Sequence, residues 1–120
     1  GLQTRDFTYV SDVVNAFIIS HKSKISNEIF NVGSGRTISV KKITQLLGGD
    51  RIYIKKRPGE PDCTYADISN IKKKLGWRPK INIEKGIKIL LKNIKYWENA
   101  PIWTPEKIKI ATKAWFKFLK

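Results

Sequence analysis

Apolar positions along the chain fall at helical spacings in several stretches, with short β-rich runs between them. Phe7 to Val10 is aromatic and β-branched enough for a short strand. Ser11 then reads as an N-cap with Asp12 in the first turn. The helix it opens runs through Val13, Val14, Ala16, Phe17 and Ile18 and stops around His21 to Ser23, where a histidine suits the negative end of the dipole. Glu28 to Val32 is predicted as a second strand, ended by Gly33-Ser34-Gly35. Thr37 and Ser39 compete as caps for a helix whose face is Val40, Ile43, Leu46 and Leu47, closed by Gly48-Gly49. Ile52 and Ile54 alternate with Tyr53 and Lys55, which predicts a third strand over Arg51 to Lys56.

Asp67 is the expected cap of a helix burying Ile68, Ile71 and Leu75 and ending at Gly76, after which Trp77-Arg78-Pro79 runs extended. Asn82 caps a longer helix with Ile83, Ile87, Leu90, Leu91, Ile94 and Trp97 as its stripe. Pro101 interrupts the pattern. Thr104-Pro105-Glu106 starts a last helix with Ile108, Ala111, Trp115, Phe118 and Leu119 as its apolar face. The pattern predicts an α/β chain: a small, largely parallel sheet of about three short strands with about five helices.

The stretch from Lys56 to Asp67 gathers Pro58, Gly59 and Pro61 with a basic pair and three acids. Prolines stiffen a loop, and a glycine admits backbone angles closed to other residues. A stiff loop holding Arg57 beside Glu60 is able to grip an anion with one residue and a hydroxyl with the other. The plain alternative is a solvated connector.

Length and composition narrow the rest. At 120 residues with 41% hydrophobic and 11% aromatic content, the chain is a folding sequence that fits one domain with a reasonable core. No apolar run approaches the ~18 residues of a membrane span. The single Cys63 excludes an internal disulfide and fits a reducing, cytoplasmic setting. A chain that starts at Gly1 and contains no methionine is expected to be a piece of something longer, cut on its N-terminal side. The balance of 24 basic against 10 acidic residues, +14 overall, raises a nucleic-acid partner. Most of the excess is lysine scattered over helical faces, which solvation explains.

Catalytic machinery is missing from the residues. Gly33-Ser34-Gly35 opens like a dinucleotide fingerprint, but its third glycine position holds Ile38, so a tight turn is the better reading. One cysteine and one histidine make neither a metal site nor a triad. No tyrosine is followed four residues later by lysine; Tyr53 is followed by Arg57. What remains is Arg5 and Arg57, each at the edge of a predicted strand, where an arginine fork suits phosphate oxygens.

At these residues the chain resembles a family. Arg5-Asp6-Phe7-Thr8-Tyr9-Val10-Ser11-Asp12-Val13, Asn31-Val32-Gly33-Ser34-Gly35 with Ile38-Ser39-Val40, and Arg57-Pro58-Gly59-Glu60 through Ala66-Asp67 to Leu75-Gly76-Trp77-Arg78-Pro79 are similar, in order, to motifs of the extended short-chain dehydrogenase/reductases. These are NAD-dependent nucleotide-sugar epimerases and dehydratases, isomerases and lyases acting through transient oxidation at the sugar C4. The resemblance covers about residues 1 to 97 and implies a C-terminal substrate-binding portion. It implies that Arg5 and Arg57 contact the diphosphate of a UDP- or dTDP-sugar and that Glu60 contacts the ribose. NAD and the catalytic Tyr-x-x-x-Lys would belong to an absent N-terminal Rossmann half, leaving no catalytic residue or cofactor here and an inactive portion of a parent enzyme expected as a homodimer. Ser11 stands where an acid is common and Thr64 where an aromatic often occurs, so base and sugar stay open. Residues 98 to 120 are expected as a helical extension packed on the same domain, with Trp103 and Trp115 in the core rather than on a contact surface. The rival readings are a basic nucleic-acid-binding domain and a stand-alone interaction module built on the Trp-rich C-terminal helices.

Overall fold

The computed structural model describes residues 1–119. In chain order the elements are β1 (Thr4–Arg5), α1 (Val10–Lys22), β2 (Ile38–Ser39), α2 (Val40–Leu47), α3 (Ser69–Leu75), α4 (Ile83–Lys92), a 3-10 turn (Ile94–Trp97), α5 (Pro105–Ala111) and α6 (Lys113–Phe118). The helical signals hold best at their ends. Ser39 caps α2 by accepting from the Lys42 amide, Asn82 caps α4 through Lys85, and Thr104 caps α5 through Lys107 with Pro105 in the first turn. Gly76 closes α3 in the left-handed conformation, φ 65°.

The sheet departs from expectation. Among the described residues it has two strands, not three, and they run antiparallel, Thr4 opposite Ser39 and Arg5 opposite Ile38. A single parallel bridge joins Thr4 to Cys63. None of Phe7–Val10, Glu28–Val32 or Arg51–Lys56 forms a ladder among the described residues. The Tyr9 carbonyl instead accepts from Asp12 and Val13 and starts α1 one residue before Ser11, so Ser11 is not the cap. Residues 28–32 and 51–56 find no strand to pair with, and Ile29, Ile52 and Tyr53 are exposed. β-rich composition records fit to a pleated, half-buried surface, and without a neighbouring strand that fit goes unused.

Two predicted helices are broken. Asn93 turns its side-chain amide onto the Ile89 carbonyl, ending α4 before the stripe reaches Trp97. Thr112 bonds back to the Ile108 carbonyl where the last helix divides into α5 and α6, giving six α-helices among the described residues.

The core is smaller than the length suggests. Among the described residues, the fully buried apolar side chains are Ala16, Ile68, Ile71 and Trp77, with Ile19, Phe30, Val32, Ala66 and Leu75 packed around them. α1 supplies Asp12, Ala16 and Ile19 to this core, at i, i+4 and i+7. Trp103 and Trp115 lie outside it, both exposed, contrary to the core expected of them. The radius of gyration is 17.6 Å, against roughly 14 Å for a compact chain of this length. No helix among the described residues is long and apolar enough to cross a membrane.

Candidate functional site

β1 delivers Arg5. Its neighbour Thr4 is gripped on both sides, by the β2 pairing and by the 62–64 segment, where the Thr4 amide donates to the Asp62 carbonyl (2.9 Å) and the Thr64 amide to the Thr4 carbonyl (3.1 Å). Arg57 and Glu60 come from the turn Arg57-Pro58-Gly59-Glu60. Proline fits its second position, Gly59 takes φ +72° at its third, and the Glu60 amide closes back on the Arg57 carbonyl at 3.4 Å.

The turn points both side chains the same way. Arg57 Nε donates to Glu60 Oε2 (3.2 Å) and Arg57 Nη2 to Glu60 Oε1 (3.1 Å), a two-pronged grip. Arg5 Nη2 donates to the same Oε1 at 3.3 Å, while its Nη1 is held by the Thr4 carbonyl at 2.8 Å. The structure therefore brings Arg5, Arg57 and Glu60 together, two cations around one anion with a charge to spare. The Glu60 side chain is 19% exposed, Arg5 21% and Arg57 36%. The Arg57 hydrogen bond holds the Glu60 carboxyl below its ordinary value, with the charges of Arg57, Arg5 and Lys56 adding to the pull against partial burial. Among the described residues Arg57 Nη1 has no partner, so it keeps donors for an external anion.

Beside the cluster lies a cleft of about 860 Å³, lined by the start of the chain, by α2 residues such as Lys41 and Thr44, and by Arg51–Pro61 positions including Tyr53, Arg57 and Glu60. Arg5 is not part of that lining; it reaches the cleft edge through Glu60.

Two acids prominent in the structure were not candidates from sequence. Asp6 accepts from the Ser34 amide (2.6 Å), the Gly35 amide (3.1 Å) and the Ala66 amide (3.3 Å), tying three segments together. Asp12, buried in α1, accepts through one carboxylate oxygen from the Lys80 and Ile81 amides at 3.0 and 2.9 Å, and its carbonyl receives the Trp77 indole. Both roles span 28 residues or more, a separation at which local sequence carries no signal. They are structural ties.

Asp6 also decides the reading of Gly33-Ser34-Gly35. The Ser34 and Gly35 N–H groups that a pyrophosphate would need are consumed by its carboxylate. A side chain at Gly33 would meet Ala66 Cβ at 2.5 Å, so glycine serves close packing here. The turn does not fit NAD, and among the described residues no group of His, Cys, Asp and Glu is arranged for a metal.

Comparison with known proteins agrees with the motif order. The family model described as GDP-mannose 4,6 dehydratase matches residues 1–90. A putative UDP-glucose 4-epimerase of Methanocaldococcus jannaschii is 40% identical over 94 residues, covering 73% of this chain and 30% of the relative. Among solved structures, UDP-glucose 4-epimerase from Thermotoga maritima with UDP-glucose superposes with a TM-score of 0.75 at 32% identity, covering 82% of this chain and 34% of that one. UDP-glucuronic acid 4-epimerase from Bacillus cereus, in complex with UDP-glucuronic acid and NAD, gives 0.70 at 30% identity, covering 80% and 33%. The chain thus spans about a third of the length of the relatives it matches. With the family model over three quarters of its residues and the motifs in order, this chain belongs to the GDP-mannose 4,6-dehydratase family of nucleotide-sugar epimerases and dehydratases, within the extended short-chain dehydrogenase/reductases.

Proposed function

We propose that this chain is the C-terminal substrate-binding portion of an NAD-dependent nucleotide-sugar epimerase or dehydratase, and that it holds the diphosphate of a UDP- or dTDP-sugar on Arg5 and Arg57. The observation that carries the reading is the meeting of those two guanidiniums on the Glu60 carboxylate. A pyrophosphate needs planar donors fixed in advance, and Glu60 orients both forks before any ligand arrives. With diphosphate bound against Arg57 Nη1, Glu60 is left to accept from a ribose hydroxyl. Residues 1–97 form the sugar-nucleotide-binding unit, and residues 98–119 are an extension packed on it, residue 120 lying outside the described residues.

NAD and the proton-transferring residues come from elsewhere in the parent. The residues described here hold no dinucleotide cradle, and relatives of three times the length carry the nucleotide sugar and NAD together. α1 supports a further body at this chain's side. Its core face is Asp12, Ala16 and Ile19, while the opposite stripe of Val10, Val14 and Phe17 is 50–72% exposed. An apolar stripe of that kind suits burial against the nucleotide-binding half.

Calorimetric titration of UDP into the chain tests the reading. Arg57→Ala and Arg5→Ala are each expected to weaken binding about tenfold, since each removes a charge-assisted contact. Equal affinity in all three chains overturns it. Nucleic acid has charge alone in its favour, and a steep salt slope with DNA, without any UDP response, would support it instead.

A further inference from the structure

The C-terminal helices meet the anion-binding turn, and the contact runs through one residue. The Trp115 indole Nε1, on α6, donates to the Pro58 carbonyl at 2.7 Å. The Arg57 guanidinium carbon lies 5.2 Å from the centroid of the same indole. Trp115 thus holds the turn twice, at its backbone and at the face of the guanidinium whose edge is bonded to Glu60. Phe116 of α6 and Leu119 just after that helix extend the contact. Lys55 Nζ stands 5.7 Å from the Phe116 ring, and Leu119 Cδ1 comes to 3.9 Å of where a side chain at Gly59 would begin.

We infer that Trp115 is a positioning residue of the sugar-nucleotide site, and that α6 acts as a strut which fixes Arg57 for the diphosphate. This rests on the diphosphate reading above. The physical ground is the division of the guanidinium. Glu60 takes Nε and one Nη2 hydrogen, the guanidinium carbon lies over the indole at 5.2 Å, and among the described residues the Nη1 hydrogens keep no partner and remain available to an anion. Without the indole, the Arg57 side chain is tied to the rest of the described fold only through Glu60, whose own link to β1 is the Arg5 contact at 3.3 Å, so the guanidinium and the tip of the turn gain freedom to shift. A six-residue helix has little intrinsic stability, so α6 and the turn order each other.

The test is a double-substitution cycle in the 120-residue chain, with UDP as the titrated probe. Trp115→Ala is expected to weaken UDP binding about fivefold, and Trp115→Phe, which keeps a ring but loses the donor, about twofold. In an Arg57→Ala background the Trp115→Ala step is expected to have no further effect, because its route to the ligand has been removed. Equal losses in both backgrounds overturn the inference. The second measurement is the Arg57 Nε–H resonance without ligand, expected as one protected signal that broadens in Trp115→Phe, a variant chosen to keep the fold. An unchanged signal in Trp115→Phe and Trp115→Ala also overturns it. A flat UDP titration with the unsubstituted chain overturns the diphosphate reading itself, whereas UDP binding that Trp115→Ala leaves intact overturns only the positioning role.

Discussion

Glu60 carries two arginines on one carboxylate, and its protonation releases both. Its folded value lies below the ordinary 4.5, chiefly because Arg57 hydrogen-bonds the charged form. A lowered carboxyl contributes stability in full above its unfolded value and loses it as pH falls through the folded one. The turn is therefore expected to stay ordered from neutrality down to about pH 5 and to loosen only under stronger acid. Carbon-13 titration of the Glu60 carboxyl checks this, and a midpoint at or above 4.5 contradicts the shared grip. Asp12 works differently. Buried at 4% exposure, it satisfies two backbone amides that connect the 80–81 segment to α1. Asp12→Ala leaves both donors unpaired in a site with little water, at a cost of about 3 kcal/mol. Chemical denaturation reads that loss directly. Neither role shows in the residues around these acids, since Arg5 meets Glu60 across 55 positions and Asp12 meets Ile81 across 69. Sequence singled out Arg57 and Glu60 because their partnership is local, three residues apart on a proline-glycine turn.

At the scale of elements, caps and turns were legible and strands were not. Ser39, Asn82, Thr104 and Gly76 each satisfy backbone groups within three or four residues, so their chemistry is written in the local sequence. A strand needs a second segment, and alternation in 51–56 says nothing about whether one is near. The same limit explains Trp115. Its spacing marks an apolar helix face, but the surface that face meets is the Pro58 turn, 57 residues away. α6 shows how a short element with low propensity is held by what it touches.

The whole molecule has few buried residues for its length and a radius of gyration several ångströms above that of a compact chain. Exposed apolar side chains occur along much of the chain, and three of them, Val10, Val14 and Phe17, line one edge of α1 opposite its core face. That arrangement suits a helix lying between two bodies. In the isolated chain the stripe is expected to drive self-association. Phe17→Asp removes a ring that is 72% exposed, so it should shift folding stability by less than about 0.5 kcal/mol while lowering association. Sedimentation velocity over a range of concentrations measures the effect, and association that persists unchanged would show that α1's outer edge is not the sticky surface.

Unlike the start of α1 and the breaks after α4 and α5, composition, the caps at Ser39, Asn82 and Thr104, the rigid Arg57–Glu60 turn and the family motifs were available from the linear order of residues. Each depends on contacts a few positions long, or on motif order, which needs no coordinates. Motif order implied that Arg5 and Arg57 share one diphosphate; tertiary structure alone decided that they meet through the Glu60 carboxylate, that Asp6 occupies the amides of the Gly33–Gly35 turn, and that Trp115 lies against Arg57. These are meetings of segments distant in sequence, 55, 28 and 58 positions apart. No local propensity encodes the direction from which a distant side chain arrives.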